Sequence, residues 1–249
     1  MDKYGLIGYP LGHSFSITYH NQRFADEGIN AKYFNYEIPS IDNLTEVLDS
    51  NPELKGLNVT IPYKQKVMEY LDYISPEARA IGAVNVIRVI HEGKNTILKG
   101  YNSDVIGFTQ SIEPMLEEYH KKALILGTGG ASKAINYGLK SLGLETIFVS
   151  RYRRPGTICY EDITPEVVKE YNVIVNCTPL GMYPKTEECP FLPYEAMDEK
   201  NILYDLIYNP DETLFMKKGA EHGANVKNGL EMLLLQAFAS WEFWNGKEK

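Results

Sequence analysis

The chain has 249 residues, which at roughly 150 residues per domain points to two domains. Hydrophobic residues make up 44% and charged residues 23%, enough to bury a sizeable core, and this excludes a disordered or fibrous chain. A net charge of −8 argues against a protein that coats nucleic acid or an anionic membrane.

Up to residue 105, β-rich segments over 3–8, 32–38, 56–59, 83–90 and 96–100 alternate at first with helical patterns over 18–27, 41–48 and 62–71, the last opened by Pro62. That rhythm predicts an α/β layer with parallel pairing, closed by a hairpin whose turn is 91–94. A polar helix over 103–119 leads to an apolar strand at 123–126, a glycine-rich turn and a helix to Leu142. Strands at 146–149, 158–160, 173–176 and 201–206 then suggest a second parallel sheet of the dinucleotide-binding kind. Leu230, Leu233, Leu234, Ala237, Phe238, Trp241 and Trp244 recur at helical spacing over 228–244, a core stripe rather than a cofactor box. Cys159, Cys177 and Cys189 are spaced neither as a metal knuckle nor as a redox pair, so reduced thiols and no metal are expected. The opening MDKYGLIGYPLGHS lacks a signal-peptide core and no stretch approaches a membrane span, so a cytoplasmic location is expected.

Gly127, Gly129 and Gly130 stand directly between an apolar strand and a helix, where a tight turn and a close backbone approach let a pyrophosphate sit on free helix N–H groups. Ser132 occupies the place of the third glycine in the strict fingerprint, and an ordinary strand-to-helix turn is the competing reading. The next strand ends Val149-Ser150-Arg151-Tyr152-Arg153-Arg154, with half of the chain's six arginines and no acid to hold a ribose 2′-hydroxyl. The stretch 121–157 carries a net +6 inside this acidic chain. Guanidinium groups chelate phosphate, which fits the 2′-phosphate of NADP better than a merely solvated loop.

In Gly8-Tyr-Pro-Leu-Gly-His13-Ser14-Phe-Ser16, two serines beside helix N–H groups can cradle a small carboxylate; taken alone, capping by one serine is the simpler account. Asn58, Thr60 and Lys64 follow another strand, and Gly82-Ala-Val-Asn85 and Asn102-Ser103-Asp104 also fall at strand ends. Amides, hydroxyls, one ammonium and one carboxylate therefore converge where open α/β sheets bind ligands. A lysine beside an aspartate suits proton transfer, although a lone lysine among 19 is usually just solvated.

Taken in order, GYPLGHSFS, NVTIPYK, GAVN, NSD, LGTGGASKA, SRYRR, NCTPLGM, YDLIYNP and NGLEMLLLQA cover nearly the whole chain and resemble the shikimate dehydrogenase family. The resemblance implies an α/β protein with an N-terminal substrate domain, 1–104 plus 228–249, and a Rossmann-like NADP-binding domain, 105–227, the C-terminal helix returning to the first. It implies reversible reduction of 3-dehydroshikimate by NADPH in the shikimate pathway of chorismate and aromatic amino-acid biosynthesis. Ser14 and Ser16 would hold the substrate carboxylate; Asn58, Thr60, Asn85, Asp104 and Gln236 would bind its hydroxyls; Lys64 would be the acid/base, paired with Asp104. Tyr208 would lie between nicotinamide and substrate. Gly127, Thr128, Gly129, Gly130, Ala131, Ser132, Ser150, Arg151, Arg153, Arg154, Thr178, Leu206 and Gly229 would bind NADP. Shikimate or 3-dehydroshikimate is the expected partner, with no nucleic acid or membrane, in a monomer or homodimer.

Three departures stand out: Ile17 replaces the family's proline after the second serine, Val105 replaces the glycine after Asp104, and only about seven residues separate Val149 from the strand at 158. A parallel crossover ordinarily takes a dozen or more residues and a helix, so that helix is expected to be absent. The alternatives are a quinate/shikimate dehydrogenase with relaxed specificity and a catalytically idle relative that binds metabolites.

Overall fold

The computed structural model describes residues 1–12, 14–93 and 95–247, which divide into two compact units: 1–103 with 237–249, and 104–236. The sequence places these borders at 104/105 and 227/228. The second border instead falls within the C-terminal helix, whose first turns pack with the second unit.

The first unit contains β1 (Asp2–Gly8), α1 (Phe15–Asp26), β2 (Ala31–Glu37), α2 (Leu44–Asp49), β3 (Leu54–Val59), β4 (Tyr73–Ile74), α3 (Pro76–Ile81), β5 (Val86–Glu92) and β6 (Asn95–Tyr101). They form one mixed sheet in the order β2-β1-β3-β5-β6-β4. β1 pairs in parallel with β2 and β3, whereas β3–β5 and β5–β6 are antiparallel. The expected hairpin is present, with Lys94 of its turn outside the described residues. The expected helix over 62–71 is not: only Lys66–Tyr70 coil, as a 3₁₀ turn. Upstream of it the Tyr63 hydroxyl donates to Ile38 O (2.6 Å) and Lys64 O accepts from Val84 N (2.7 Å). A tertiary partner thus claims the Lys64 carbonyl that a first helical turn would use, while the Tyr63 side chain anchors the segment to the loop after β2.

The second unit contains α4 (Asp104–Ile112), β7 (Lys122–Leu126), α5 (Gly130–Ser141), β8 (Glu145–Ser150), β9 (Thr157–Cys159), α6 (Pro165–Glu170), β10 (Val173–Asn176), β11 (Ile202–Asp205), α7 (Leu214–Glu221) and β12 (Asn225–Lys227); α8 (Leu230–Trp244) begins in it. Its strands are all parallel, in the order β12-β11-β10-β7-β8-β9. This is the doubly wound arrangement, with its switch point between β7 and β10. The central strands are buried on both faces, as parallel strands covered by helices must be. α4 stops at Ile112 rather than running to 119, because Pro114 cannot continue the helical ladder.

No helix joins β8 to β9; six residues, 151–156, make the parallel crossover. β9 is only three residues long and its first residue, Thr157, pairs with Phe148. The chain therefore returns only two ladder steps, about 7 Å.

From Ala237 onward α8 belongs to the first unit. Tyr4 packs against Trp241 (5.5 Å between ring centroids) and Trp244 (4.9 Å), and Tyr101 stacks on Phe243 at 4.5 Å. The aromatic stripe is core, as its spacing indicated, but Leu230, Leu234 and Phe238, four residues apart, form an exposed row.

Candidate active site

In the first unit the pairing register brings four loops to one sheet edge. β1 and β3 end there in parallel, and Val86, which opens β5, pairs with both Asn58 and Tyr101. The edge thus collects the segment after Gly8, Thr60 to Lys64, the residues up to Asn85, and Asn102 with Ser103. Thr60 N donates to Ile7 O (2.9 Å) and Tyr9 N to Ile61 O (3.1 Å), tying the first two loops together. Ser14 is the N-cap residue of α1, yet its side chain makes no capping bond, so capping does not account for it. The buried Tyr33 hydroxyl donates to Asn58 Oδ1 at 2.8 Å. Asn58 Nδ2 in turn reaches Asn85 O at 3.3 Å. Asn58 and Asn85 are therefore linked, with Ser14, Ser16, Thr60 and half-buried Lys64 on adjoining segments. Asp104 (buried), Tyr208 (partly exposed) and Gln236 (half-buried) lie in the second unit.

The second unit gathers its expected cofactor residues at the carboxyl edge of its sheet. Gly127 has φ +101, where a side chain would be strained, and a Cβ on it would crowd Thr178 Cγ2 at 3.1 Å. The loops after β7 and β10 thus touch at the switch point. Gly129 and Gly130 differ: their φ values are not positive, and a Cβ on either would have no atom within 4 Å. The fold itself demands no glycine there. What these residues leave is bare backbone over the start of α5, which has no side-chain cap, with exposed Thr128 and half-buried Ala131 on either side. Buried Ser132 closes the turn by donating to Gly129 O at 2.7 Å. A helix of 12 residues whose first N–H groups face open space is suited to a phosphate. The residues present fit a dinucleotide.

Beyond β8, Ser150 Oγ accepts from Tyr152 N (3.3 Å), and Arg151, Arg153 and Arg154 are all exposed. They are not equivalent. Arg153 pairs with Asp162 Oδ1 at 2.8 Å, while Asp162 Oδ2 accepts from Cys159 N at 2.9 Å. The Cys159 N–H, and then the guanidinium, hold that carboxyl below its usual range. Gly229 packs directly on the Leu206 carbonyl, and Gly229 N donates to Ile207 O at 2.9 Å, so these two expected nicotinamide-side residues are contiguous. Among the described residues no cluster of three His, Cys, Asp or Glu could hold a metal ion.

The sequence reading does not single out Asp205 and Asn176, which end β11 and β10. Asp205 Oδ2 accepts from Thr213 Oγ1 (2.7 Å), and its Oδ1 from Ile207 N (3.0 Å) and Asn176 Nδ2 (3.1 Å). Asn176 Oδ1 accepts from Thr178 N (3.0 Å) and Thr178 Oγ1 (2.6 Å). The pair fixes the loops that carry Thr178, Leu206 and Tyr208. A lone amide and a lone acid closing the apolar runs VIVN and ILYD were the available signal. Burial pushes the Asp205 carboxyl up to about 6 against the pull of these donors.

A family model described as the shikimate dehydrogenase substrate binding domain matches residues 6–87. Shikimate dehydrogenase (NADP(+)) of Methanococcus maripaludis (strain C6) is 37% identical over 261 residues, covering 98% of this chain and 91% of that protein. The chain belongs to the shikimate dehydrogenase family. Another member, from Halothermothrix orenii, is 40% identical over 265 residues, covering 97% and 90% of the two chains. The crystal structure of shikimate 5-dehydrogenase from Thermus thermophilus in complex with NADP(H) and shikimate superimposes with a TM-score of 0.85 at 29% identity, covering 99% of this chain and 94% of that one. The 6–87 span matched by the family's substrate-binding model holds Ser14, Ser16, Asn58, Thr60, Lys64 and Asn85.

Asp205 predicts a pH signature. Its carboxyl binds a proton more readily in the folded than in the unfolded chain, so stability from this group is present at pH 4 and lost as pH rises through 6. In denaturant unfolding, Asp205→Asn should gain on the wild type by about 2 kcal/mol between pH 4 and pH 7. A difference that does not change with pH contradicts this.

Proposed function

We propose that the protein catalyses the reversible NADP-dependent oxidation of shikimate to 3-dehydroshikimate in the shikimate pathway. The observation that carries this reading is the convergence, at one edge of the first unit, of serine hydroxyls and buried amides with the loop bearing Lys64. The second unit supplies bare helix N–H groups and an arginine-rich loop for a phosphorylated dinucleotide. The family relatives add their support: the Thermus thermophilus enzyme holds NADP(H) and shikimate.

The first unit is then the substrate-binding and catalytic domain and the second the NADP-binding domain. Ser14 and Ser16 donate to the substrate carboxylate, an anion recognised by neutral hydroxyls beside the start of α1. Asn58, Thr60, Asn85, Asp104 and Gln236 hold the ring hydroxyls, and their fixed donors and acceptors select one polyol stereochemistry. NADP, when bound, would supply the hydride acceptor for oxidation and, in its reduced form, the hydride donor for reduction. Lys64 removes the hydroxyl proton as the neutral amine in oxidation; in reduction, as the ammonium, it stabilises and protonates the developing alkoxide. Asp104 is the second catalytic residue. Tyr208, Leu206 and Gly229 border the nicotinamide. Gly127 to Ser132 and Thr178 surround the pyrophosphate, and Ser150, Arg151, Arg153 and Arg154 take the 2′-phosphate. Three free thiols suit a reducing cytoplasm.

Lys64→Ala should lower kcat by at least about 10²-fold, the contribution of a general acid/base, while leaving NADPH affinity within twofold of the wild type. Near-native turnover removes Lys64 from the mechanism. Gly129→Ala separates binding from folding: its Cβ enters open space, so the thermal midpoint should hold or rise. The KM for NADPH should still rise about tenfold, because the Cβ blocks the phosphate approach. An unchanged KM places the dinucleotide elsewhere.

A further inference from the structure

Behind the substrate edge lies a buried run of polar side chains whose members come from five separate segments of the first unit. Tyr33 of β2, Asn58 of β3, Asn85 before β5, Ser103 after β6 and Ser240 of α8 are each less than a tenth exposed. Asn58 Nδ2 donates to Ser240 Oγ at 3.0 Å, across 182 residues of sequence. Ser240 Oγ lies 3.1 Å from Ser103 Oγ. Ser103 grips the Asn85 carboxamide at both ends: Asn85 Nδ2 donates to Ser103 Oγ (3.0 Å), and Ser103 N donates to Asn85 Oδ1 (2.7 Å).

A carboxamide is nearly symmetric in shape and opposite in chemistry at its two ends, so its neighbours decide which end meets a ligand. The Tyr33 proton goes to Asn58 Oδ1, which fixes the Asn58 amide as a donor toward Ser240. The Tyr33 ring is itself held, stacked on His20 at 4.7 Å, and burial keeps that imidazole neutral, with its pKa lowered to about 3. On α8, Ser240 lies among buried Ala237, Ala239, Phe243 and Trp244. One hydroxyl on an apolar helix face meets the polar edge of the sheet at the one level where two amides need orienting.

We infer that Ser240 and Tyr33 are positioning residues of the substrate site, holding Asn58 and Asn85 in the orientation that recognises a hydroxylated ring carboxylate. The inference rests on the reading of that edge as the shikimate site. Neither residue touches substrate; both act through the amides. Buried amides with a missing partner reorient or admit water, and the loss is felt in substrate binding rather than in hydride transfer or dinucleotide binding.

The test is steady-state kinetics of the full-length wild type, Ser240→Ala, Tyr33→Phe and the double variant, with shikimate and NADP+ varied separately. Both single changes keep the shape of a buried side chain, and alanine is well tolerated in a helix. Each should raise the KM for shikimate about tenfold, with kcat and the KM for NADP+ within twofold of the wild type. The double variant should be little worse than the worse single variant, because both act on Asn58. Should one variant fail to fold, the other carries the same readout. Unmoved shikimate KM values in an active wild-type background, or equal losses in all three constants, overturn the inference and leave the functional reading standing. A wild type that neither binds nor oxidises shikimate overturns both.

Discussion

A strand covered on both faces can be polar only where it ends, because an unpaired polar group inside the layer costs more than the fold can spare. In the second unit β7, β10 and β11 obey this closely: past the partly exposed Lys122 that opens β7 their residues are buried, and Asn176 and Asp205 come last in β10 and β11. In the first unit Asn58 is the penultimate residue of β3, and Asn85 and Ser103 lie just outside β5 and β6. All the groups that can recognise a ligand are thereby driven to one edge of each sheet. Function follows from which polar residues arrive there and how they are held.

The two units hold their polar edges differently. The first uses neutral amides and hydroxyls, which can be buried together as long as each donor meets an acceptor. The second anchors its loops on a carboxylate, Asp205, which burial makes reluctant to ionise. The arginine loop beyond β8 has a third arrangement. With no crossover helix to support it, Arg153 is tied to Asp162, and Asp162 to the backbone of Cys159, which gives an exposed six-residue connection an internal strut. A single exposed ion pair contributes little to stability, so its effect is on the shape of the loop rather than on the fold.

What could be read from the sequence was local. Strand, glycine turn and helix stand consecutively around Gly127 to Gly130, the arginines are adjacent, and the short spacing after Val149 already required a crossover without a helix. The failures were tertiary. The segment after Pro62 has a helical pattern, yet Val84 takes the Lys64 carbonyl, and Leu230, Leu234 and Phe238 share the apolar period of α8 without being covered. Ser240, Tyr33 and Asp205 escape a sequence reading because a serine in a helix, a tyrosine in a strand and an acid at a strand end are each ordinary until their partners, up to 182 residues away, are placed beside them.

The most direct test of the account follows the absorbance of reduced nicotinamide while the wild-type protein is offered shikimate and quinate, each with NADP+ and with NAD+. Turnover of shikimate with NADP+ at a kcat/KM at least about tenfold above the other three pairs is the expected result, since guanidinium groups recognise the 2′-phosphate and no strand-end acid is present to hold the free ribose. Equal or better kcat/KM with NAD+ or with quinate, or no turnover of any pair, would contradict it.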